Sequence, residues 1–287
     1  AVGCELAIST DTLVSGTHFF ADADAQKLGH KALAVNLSDL AAMGATPRYV
    51  TLALTLPAVD HAWLSAFSRG FFLLADQYQV ELIGGDTTRG PLSMTLTAFG
   101  EVASGRALRR DGAKPGDDVW VSGSLGGAAL ALKHLQSQLT LKPGVLERAA
   151  ERLHLPQPRI ALGEALCGLA SAAIDVSDGL LADLGHIAGR SGLEATLDWA
   201  ALPLAPALMS VGPAERMACS LSGGDDYELC FTAPPAARAA LDALSLQLGL
   251  PLTRIGTMGE AGGGVTVIDE RGHAITFDQS GFDHFGQ

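Results

Sequence analysis

Residues 31–45 read Lys31-Ala-Leu-Ala-Val-Asn-Leu-Ser-Asp-Leu-Ala-Ala-Met-Gly-Ala45, a nearly unbroken apolar run interrupted by one carboxylate, Asp39. The pattern predicts a helix over residues 24–43, closed by Gly44 and then by Pro47, the order of a glycine C-cap followed by a helix breaker. Asn36 and Asp39 are three apart and share a face of that helix. Ala, Leu, Val and Met surround this face, which places it partly inside the protein; a solvent-facing stripe is the plainer alternative. Metal ligation by Asp39 is favoured, because the helix ends close to a domain edge.

On either side of this helix the pattern alternates. Residues 5–10 and 48–56 read as strands, and residues 60–78 as a helix with Asp60 as N-cap. Residues 80–83 form a short strand and residues 93–102 a longer one after the Arg89-Gly-Pro turn. The expected order is β-α-β-α-β-β. The polar segment 106–117, with Gly112, Pro115 and Gly116, is the best boundary and divides residues 1–107 from residues 108–287. Beyond it, strands are expected at 119–121, 173–175, 193–197, 220–221, 228–232, 253–256 and 265–268. Helices are expected from the Gly123-Ser-Leu-Gly-Gly segment to about residue 134, and at 144–153, 159–169, 180–190 and 236–248. The fold class is α/β (α+β), in two layered domains.

Hydrophobic residues make up 48% of the 287 and charged residues 17%, which excludes a disordered chain. A formal charge of −12 argues against nucleic acid or an anionic membrane as partner. It leaves anionic small molecules open, since bound divalent ions reverse the local sign. Cys4, Cys167, Cys219 and Cys230 show no metal-ligand spacing and read as free thiols. No apolar stretch reaches the roughly 18 residues of a membrane span, and the expected location is cytoplasmic. The sequence starts without Met and almost inside a strand, so a further N-terminal segment is expected to precede it.

Five aspartates stand in short segments of small residues: Asp11, Asp39, Asp86, Asp175 and Asp178. Buried carboxylates gathered together need cations, and hard oxygen ligands beside Ser and Thr hydroxyls suit magnesium and phosphate chemistry. Gly84-Gly-Asp-Thr-Thr can bring a phosphate close to the backbone or make a plain turn. Gly123-Ser-Leu-Gly-Gly opens a helix and can hold an anion there. No Gly-Lys-Ser/Thr and no three-glycine dinucleotide pattern is present, so any nucleotide site is of another kind. Asp175-Val-Ser-Asp-Gly sets two carboxylates at a strand-to-helix junction, where capping by Ser177 or Asp178 is the alternative. In Ser222-Gly-Gly-Asp-Asp-Tyr-Glu, either Asp225 or Asp226 can reach a substrate. His18 and Arg110 can meet an anionic group, or be a structural imidazole and a solvated charge.

Together these segments resemble the thiamine-monophosphate kinase family, within the aminoimidazole-ribonucleotide-synthetase-like ATP-binding group. The likeness runs through residues 7–18, 31–45, 82–90, 112–117, 174–180, 221–229 and the closing Gly281-Phe-Asp-His-Phe. It implies magnesium-dependent transfer of the ATP γ-phosphoryl group to thiamine monophosphate, directly and without a phosphoenzyme. It implies that Ser9, Thr10, Asp11, Asp39, Asp86, Asp175 and Asp178 hold magnesium, with Asp11, Asp39, Asp86 and Asp175 assisting transfer. By the same resemblance Gly85, Asp86, Arg110 and Ser177 contact the nucleotide, and His18, Asp225 and Phe282 the thiamine substrate. A homodimer is implied, its N-terminal sheets joined into a barrel. Two features depart from the family: its acidic segment upstream of the first strand has no counterpart in this numbering, which implies a missing metal ligand, and Asp225 stands where Glu is frequent. The alternatives are another ATP-dependent enzyme of the group, of cyclo-ligase or selenophosphate synthetase type, and a non-catalytic protein that binds divalent cations.

Overall fold

The computed structural model describes residues 2–276. Its first part runs β1 (Cys4–Val14), α1 (Ala25–Ala42), β2 (Thr46–Leu56), α2 (His61–Tyr78), β3 (Glu81–Arg89) and β4 (Ser93–Ala103), the expected order. Asp24 and Asp60 cap α1 and α2 through their side chains, and Gly44 follows α1 in a left-handed conformation. The strands form an open sheet in the order β1-β4-β2-β3. Only the β2–β3 pair is parallel, which is why a whole helix, α2, connects them. In the single chain the sheet does not close into a barrel.

Helix α1 is the centre of the molecule. It is apolar on nearly every side, and such a helix belongs inside. Leu33, Ala34, Leu37, Leu40 and Ala41 are fully buried between the first sheet, α2 and the second part of the chain. Polar side chains on α1 are therefore carried into the interior with it.

Residues 104–117 contain no helix or strand, yet they are held on both sides. The Leu108 N–H donates to Met43 O at 3.1 Å, and the Arg109 carbonyl accepts from the Ala173 N–H at 3.1 Å. This strap lays Arg110 between the end of α1 and the second sheet. The largest core joins α1 and the first sheet to Trp120, Leu229 and Phe231 across the strap.

The second part contains β5 (Asp118–Ser122), α3 (Gly127–Leu135), α4 (Pro143–His154), α5 (Ile160–Leu166), β6 (Ala172–Asp175), α6 (Leu180–Ser191), β7 (Leu193–Asp198), α7 (Pro213–Met217), β8 (Leu229–Ala233), α8 (Arg238–Leu248), β9 (Leu252–Ala261) and β10 (Val265–Ile268). Its six-stranded sheet has the order β10-β7-β9-β5-β8-β6, antiparallel throughout except at β10–β7. Two expectations need correction. The segment 220–221 is no strand: it lies in a buried π-helical turn, Ala218–Ser222, that continues α7. A short apolar run does not distinguish helix from strand by its period. The helix expected over 159–169 stops at Leu166, where Cys167 turns the chain. All four cysteines are free thiols. Among the described residues no helix is long and apolar enough to cross a membrane.

Candidate active site

Strand β1 alternates in burial. Ala7, Ser9, Asp11 and Leu13 turn toward α1, while Leu6, Ile8, Thr10 and Thr12 turn away. The Ser9 hydroxyl donates to Asp39 Oδ2 on α1. One residue earlier on α1, the buried Ser38 hydroxyl donates to Asp175 Oδ2 at 2.7 Å, at the end of β6. Two consecutive residues of one buried helix thus tie the first strand and the second sheet into one site. A cavity of about 310 Å³ opens there, lined by Ser9, Asp39, Met43, Leu108 and Arg110 among others.

The carboxyl groups at this site hold one another protonated more readily than ordinary ones. Burial, then the charges of Asp39 and Asp178, push Asp11 up to about 7. Burial also raises Asp39, although the Ser9 hydroxyl and the Arg110 guanidinium pull it partly back. Asp175 is held well above the usual carboxylate range by burial and by Asp39. Four of the five aspartates therefore converge. Among the described residues no three acidic, His or Cys side chains enclose a ready-made cation site. The donor set is all oxygen and open on one side. That fits magnesium, which binds through one or two carboxylates and completes its shell with water and substrate phosphates.

Asp86 stands apart. It pairs in register with Ala53, Ala53 with Thr95, and Thr95 with Thr12. Those residues face away from α1, and the Thr12 and Thr95 hydroxyls meet there at 2.8 Å. Asp86 is therefore on the outer face of the sheet, three strand spacings or ~14 Å from β1. Thr10 faces outward too, its hydroxyl 3.0 Å from that of Thr97, so only its main chain is on hand for the inner site. Gly84-Gly-Asp-Thr-Thr is neither a turn nor a loop but part of the exposed edge strand β3. Gly85 has φ 147°, and a Cβ there would lie 1.9 Å from Leu52 O, so strand pairing alone demands glycine.

Two acidic loops close the other side of the site. Main-chain bonds zip them together: Val176 N–H to Glu228 O at 2.8 Å, Asp225 N–H to Ser177 O at 2.9 Å and Tyr227 N–H to Val176 O at 2.9 Å. Gly179, at φ 116°, lets the first loop press against Ser222. The junction is capped by neither Ser177 nor Asp178. Asp183, one turn into α6, accepts from the Ser177 and Asp178 N–H groups at 3.0 and 3.1 Å. Burial raises Asp183 to about 7.

Of the two candidates in the second loop, the structure separates the roles. Asp226 is buried and accepts from the Gly126 N–H at 2.7 Å, at the start of α3. The acceptor at that helix N-terminus is the chain's own carboxyl group, so the segment 123–127 is not an open anion site. Burial pushes Asp226 up to about 8. Asp225 is partly exposed and paired with Lys31 of α1 at 2.7 Å. Tyr227 is pushed well up by burial and by the carboxylates of Asp225, Asp175 and Asp11, which places its phenol among the site acids. His18 lies in the turn after β1, its Nδ1 accepting from the Val14 N–H at 3.0 Å. Phe282 lies outside the described residues.

Reading the sequence missed Ser38, Asp183 and Tyr227. Ser38 carries a signal, since it is a polar neighbour of Asp39 in an apolar helix. Asp183 and Tyr227 have none of their own, because their roles arise from loops brought together by the fold.

Comparison with known proteins agrees with this fold. Residues 1–102 match the model of the AIR synthase related protein N-terminal domain, and residues 114–269 that of its C-terminal domain. The thiamine-monophosphate kinase of Salmonella typhimurium is 53% identical over 98% of this chain and 86% of its own length. The thiamine-monophosphate kinase structure from Stenotrophomonas maltophilia K279a superposes with a TM-score of 0.90 at 51% identity, over 96% of this chain and 87% of that one. A structure of AaThiL complexed with AMPPCP and TMP has a TM-score of 0.85 at 30% identity, over 99% and 89%. The chain belongs to the thiamine-monophosphate kinase family of AIR synthase related proteins.

Proposed function

We propose that this chain is a kinase that transfers the γ-phosphoryl group of ATP to thiamine monophosphate, giving thiamine diphosphate and ADP. The observation that carries the reading is the electrostatic coupling of Asp11, Asp39, Asp175 and Asp178 around an open cavity whose lining includes Asp39 and Arg110. An all-oxygen acidic site with an arginine at its edge suits a metal-bound triphosphate. The relative complexed with AMPPCP and TMP supports the same pair of substrates.

In the reaction a phosphate oxygen of thiamine monophosphate forms a bond to the γ-phosphorus. The bond from that phosphorus to the β–γ bridging oxygen breaks, and ADP leaves with the electron pair. Two unit charges ~4 Å apart repel by roughly 4 kcal/mol at an effective dielectric near 20. Magnesium held by Asp11, Asp39, Asp175, Asp178 and Ser9 would offset that repulsion as a Lewis acid. Arg110 faces the transferred group, and Ser177 contacts the nucleotide. The acceptor phosphate is already ionised near neutral pH, so no protein group need remove a proton, and no side chain serves as nucleophile.

The same proposal makes residues 1–107 the nucleotide- and metal-binding and dimerisation domain, and residues 108–287 a C-terminal α/β domain that brings Arg110, Asp175, Ser177 and Asp178 to the site. Asp86 fits this assignment only in a homodimer. The outer sheet face carries Leu6, Ile8 and Tyr49, all exposed, beside the edge strand β3, which is exposed along its whole length and includes Leu82 and Ile83. Such a face and such an edge are ordinarily covered. A second copy placed on them would bring Asp86 and Gly85 to a nucleotide bound at the interface.

The test is transfer from γ-labelled ATP with magnesium present. Label in thiamine diphosphate when thiamine monophosphate is the acceptor, and none in any product from free thiamine, is the expected result. Labelling of thiamine itself, or ADP release independent of acceptor, would count against it.

A further inference from the structure

Lys31 is a buried cation that the phosphoryl-transfer chemistry does not use. Its side chain is 7% exposed, at the head of the buried apolar run 32–35 of α1. A buried ammonium is costly unless paired, and its partner is Asp225 at 2.7 Å. Asp225 is unusual in turn. Its φ is 67° and that of Tyr227 is 50°, so two side-chain-bearing residues of one loop occupy the left-handed region. Backbone strain of this kind persists only where the surroundings hold it, and it gathers at ligand sites.

The position of the pair along α1 adds a second argument. Lys31 precedes Ser38 by seven residues, nearly two full turns, so both emerge on one side of the helix. Ser38 grips the loop that carries Asp175 and Asp178, and Lys31 grips the loop that carries Asp225. The two grips are ~10 Å apart along the axis. An elongated substrate with a phosphate at one end and a heteroaromatic cation at the other spans such a distance. Lys27 and His154 also lie near the Lys31–Asp225 pair, and Asp24 adds a second acid.

We propose that Lys31 is a positioning residue for the acceptor: it fixes the Asp225 carboxylate and its strained loop so that the acceptor's ring end lies along α1 with its phosphate at Asp39 and Asp175. This rests on the reading of Asp225 as the carboxylate that meets the acceptor. Lys31 itself touches neither reacting phosphate.

The test is steady-state kinetics with thiamine monophosphate and ATP varied separately, on K31M, K31R, D225N and the K31M/D225N pair, each with its thermal transition. K31M is expected to raise the KM for thiamine monophosphate tenfold or more, with the KM for ATP and kcat near wild type. K31R should give an intermediate rise, since its planar fork does not replace a compact ammonium. The double variant should be no worse than the worse single, as expected of residues that act as a unit. A raised acceptor KM in D225N with none in K31M overturns the role of Lys31 and leaves that of Asp225 standing. Wild-type acceptor KM in both removes the Asp225 reading itself. Where K31M does not fold, K31R decides: a raised acceptor KM with unchanged ATP KM supports the proposal, and wild-type values for both overturn it.

Discussion

At Asp39 a carboxyl on a buried helix receives the Ser9 hydroxyl, feels Arg110 and raises the affinity of Asp11 and Asp175 for protons. Removing its charge should therefore disable the site while relieving repulsion within it. Asp39→Asn is expected to lower kcat/KM by roughly 10²–10³-fold, the scale for losing one preorganised charge-stabilising group, with no loss of thermal stability. Thr10→Val, whose hydroxyl meets Thr97 on the opposite face, should leave turnover near wild type; comparable losses in the two variants would contradict the placement. Asp226 gives a separate prediction. Its folded pKa of about 8 lies above the unfolded carboxylate value, so its contribution to stability is fully present at low pH and is lost as pH rises through about 8. Melting curves without metal should show wild type losing stability relative to Asp226→Asn between pH 5 and 8, by at most about 1.4 kcal/mol per pH unit. A pH-independent difference would remove this assignment. Asp11 and Asp183, both near 7, act on the wild type with the same sign.

At the scale of elements, the loop after β6 is held by a helix it precedes. Asp183→Ala leaves the Ser177 and Asp178 N–H groups without their acceptor, at a cost of about 1–3 kcal/mol. It should also raise the KM for ATP more than that for the acceptor, measured by initial rates; equal rises would point to a general loosening. The elements themselves were largely legible. The apolar run of α1 with its Asp24 cap and Gly44 stop, and the period of α2 after Asp60, leave little freedom of choice. Segment 220–221 was not legible, because two buried apolar residues fit a strand and a π-helical turn equally. Convergence of Asp11, Asp39, Asp175 and Asp178 came from the family resemblance and from the expected burial of α1. The outward aim of Asp86 and Thr10 is a matter of register, set by pairings across four strands that no local pattern encodes. The Asp226 cap of α3 joins residues 100 apart, and neither segment announces the other.

For the whole molecule, the inner site and the outer sheet face belong to one arrangement. The inner face of the first sheet packs on α1 and builds the acidic cavity, while the outer face leaves Ile8 51% exposed and the edge strand leaves Ile83 58% exposed. Charges placed on this outer face and its edge strand should separate the proposed copies without touching the core. Ile8→Glu with Ile83→Glu is expected to shift the sedimentation coefficient from dimer to monomer and to reduce turnover together with it. Full activity in a demonstrated monomer would refute a dimeric site and leave Asp86 without a role. The most direct measurement is anomalous diffraction from crystals grown with manganese, a non-hydrolysable ATP analogue and thiamine monophosphate. The expected peaks lie at bonding distance, about 2.0–2.2 Å, from carboxylate oxygens of the group Asp11, Asp39, Asp175 and Asp178, between the two bound phosphates. Ions bound elsewhere, with those four carboxyl groups facing one another and no cation among them, would contradict it.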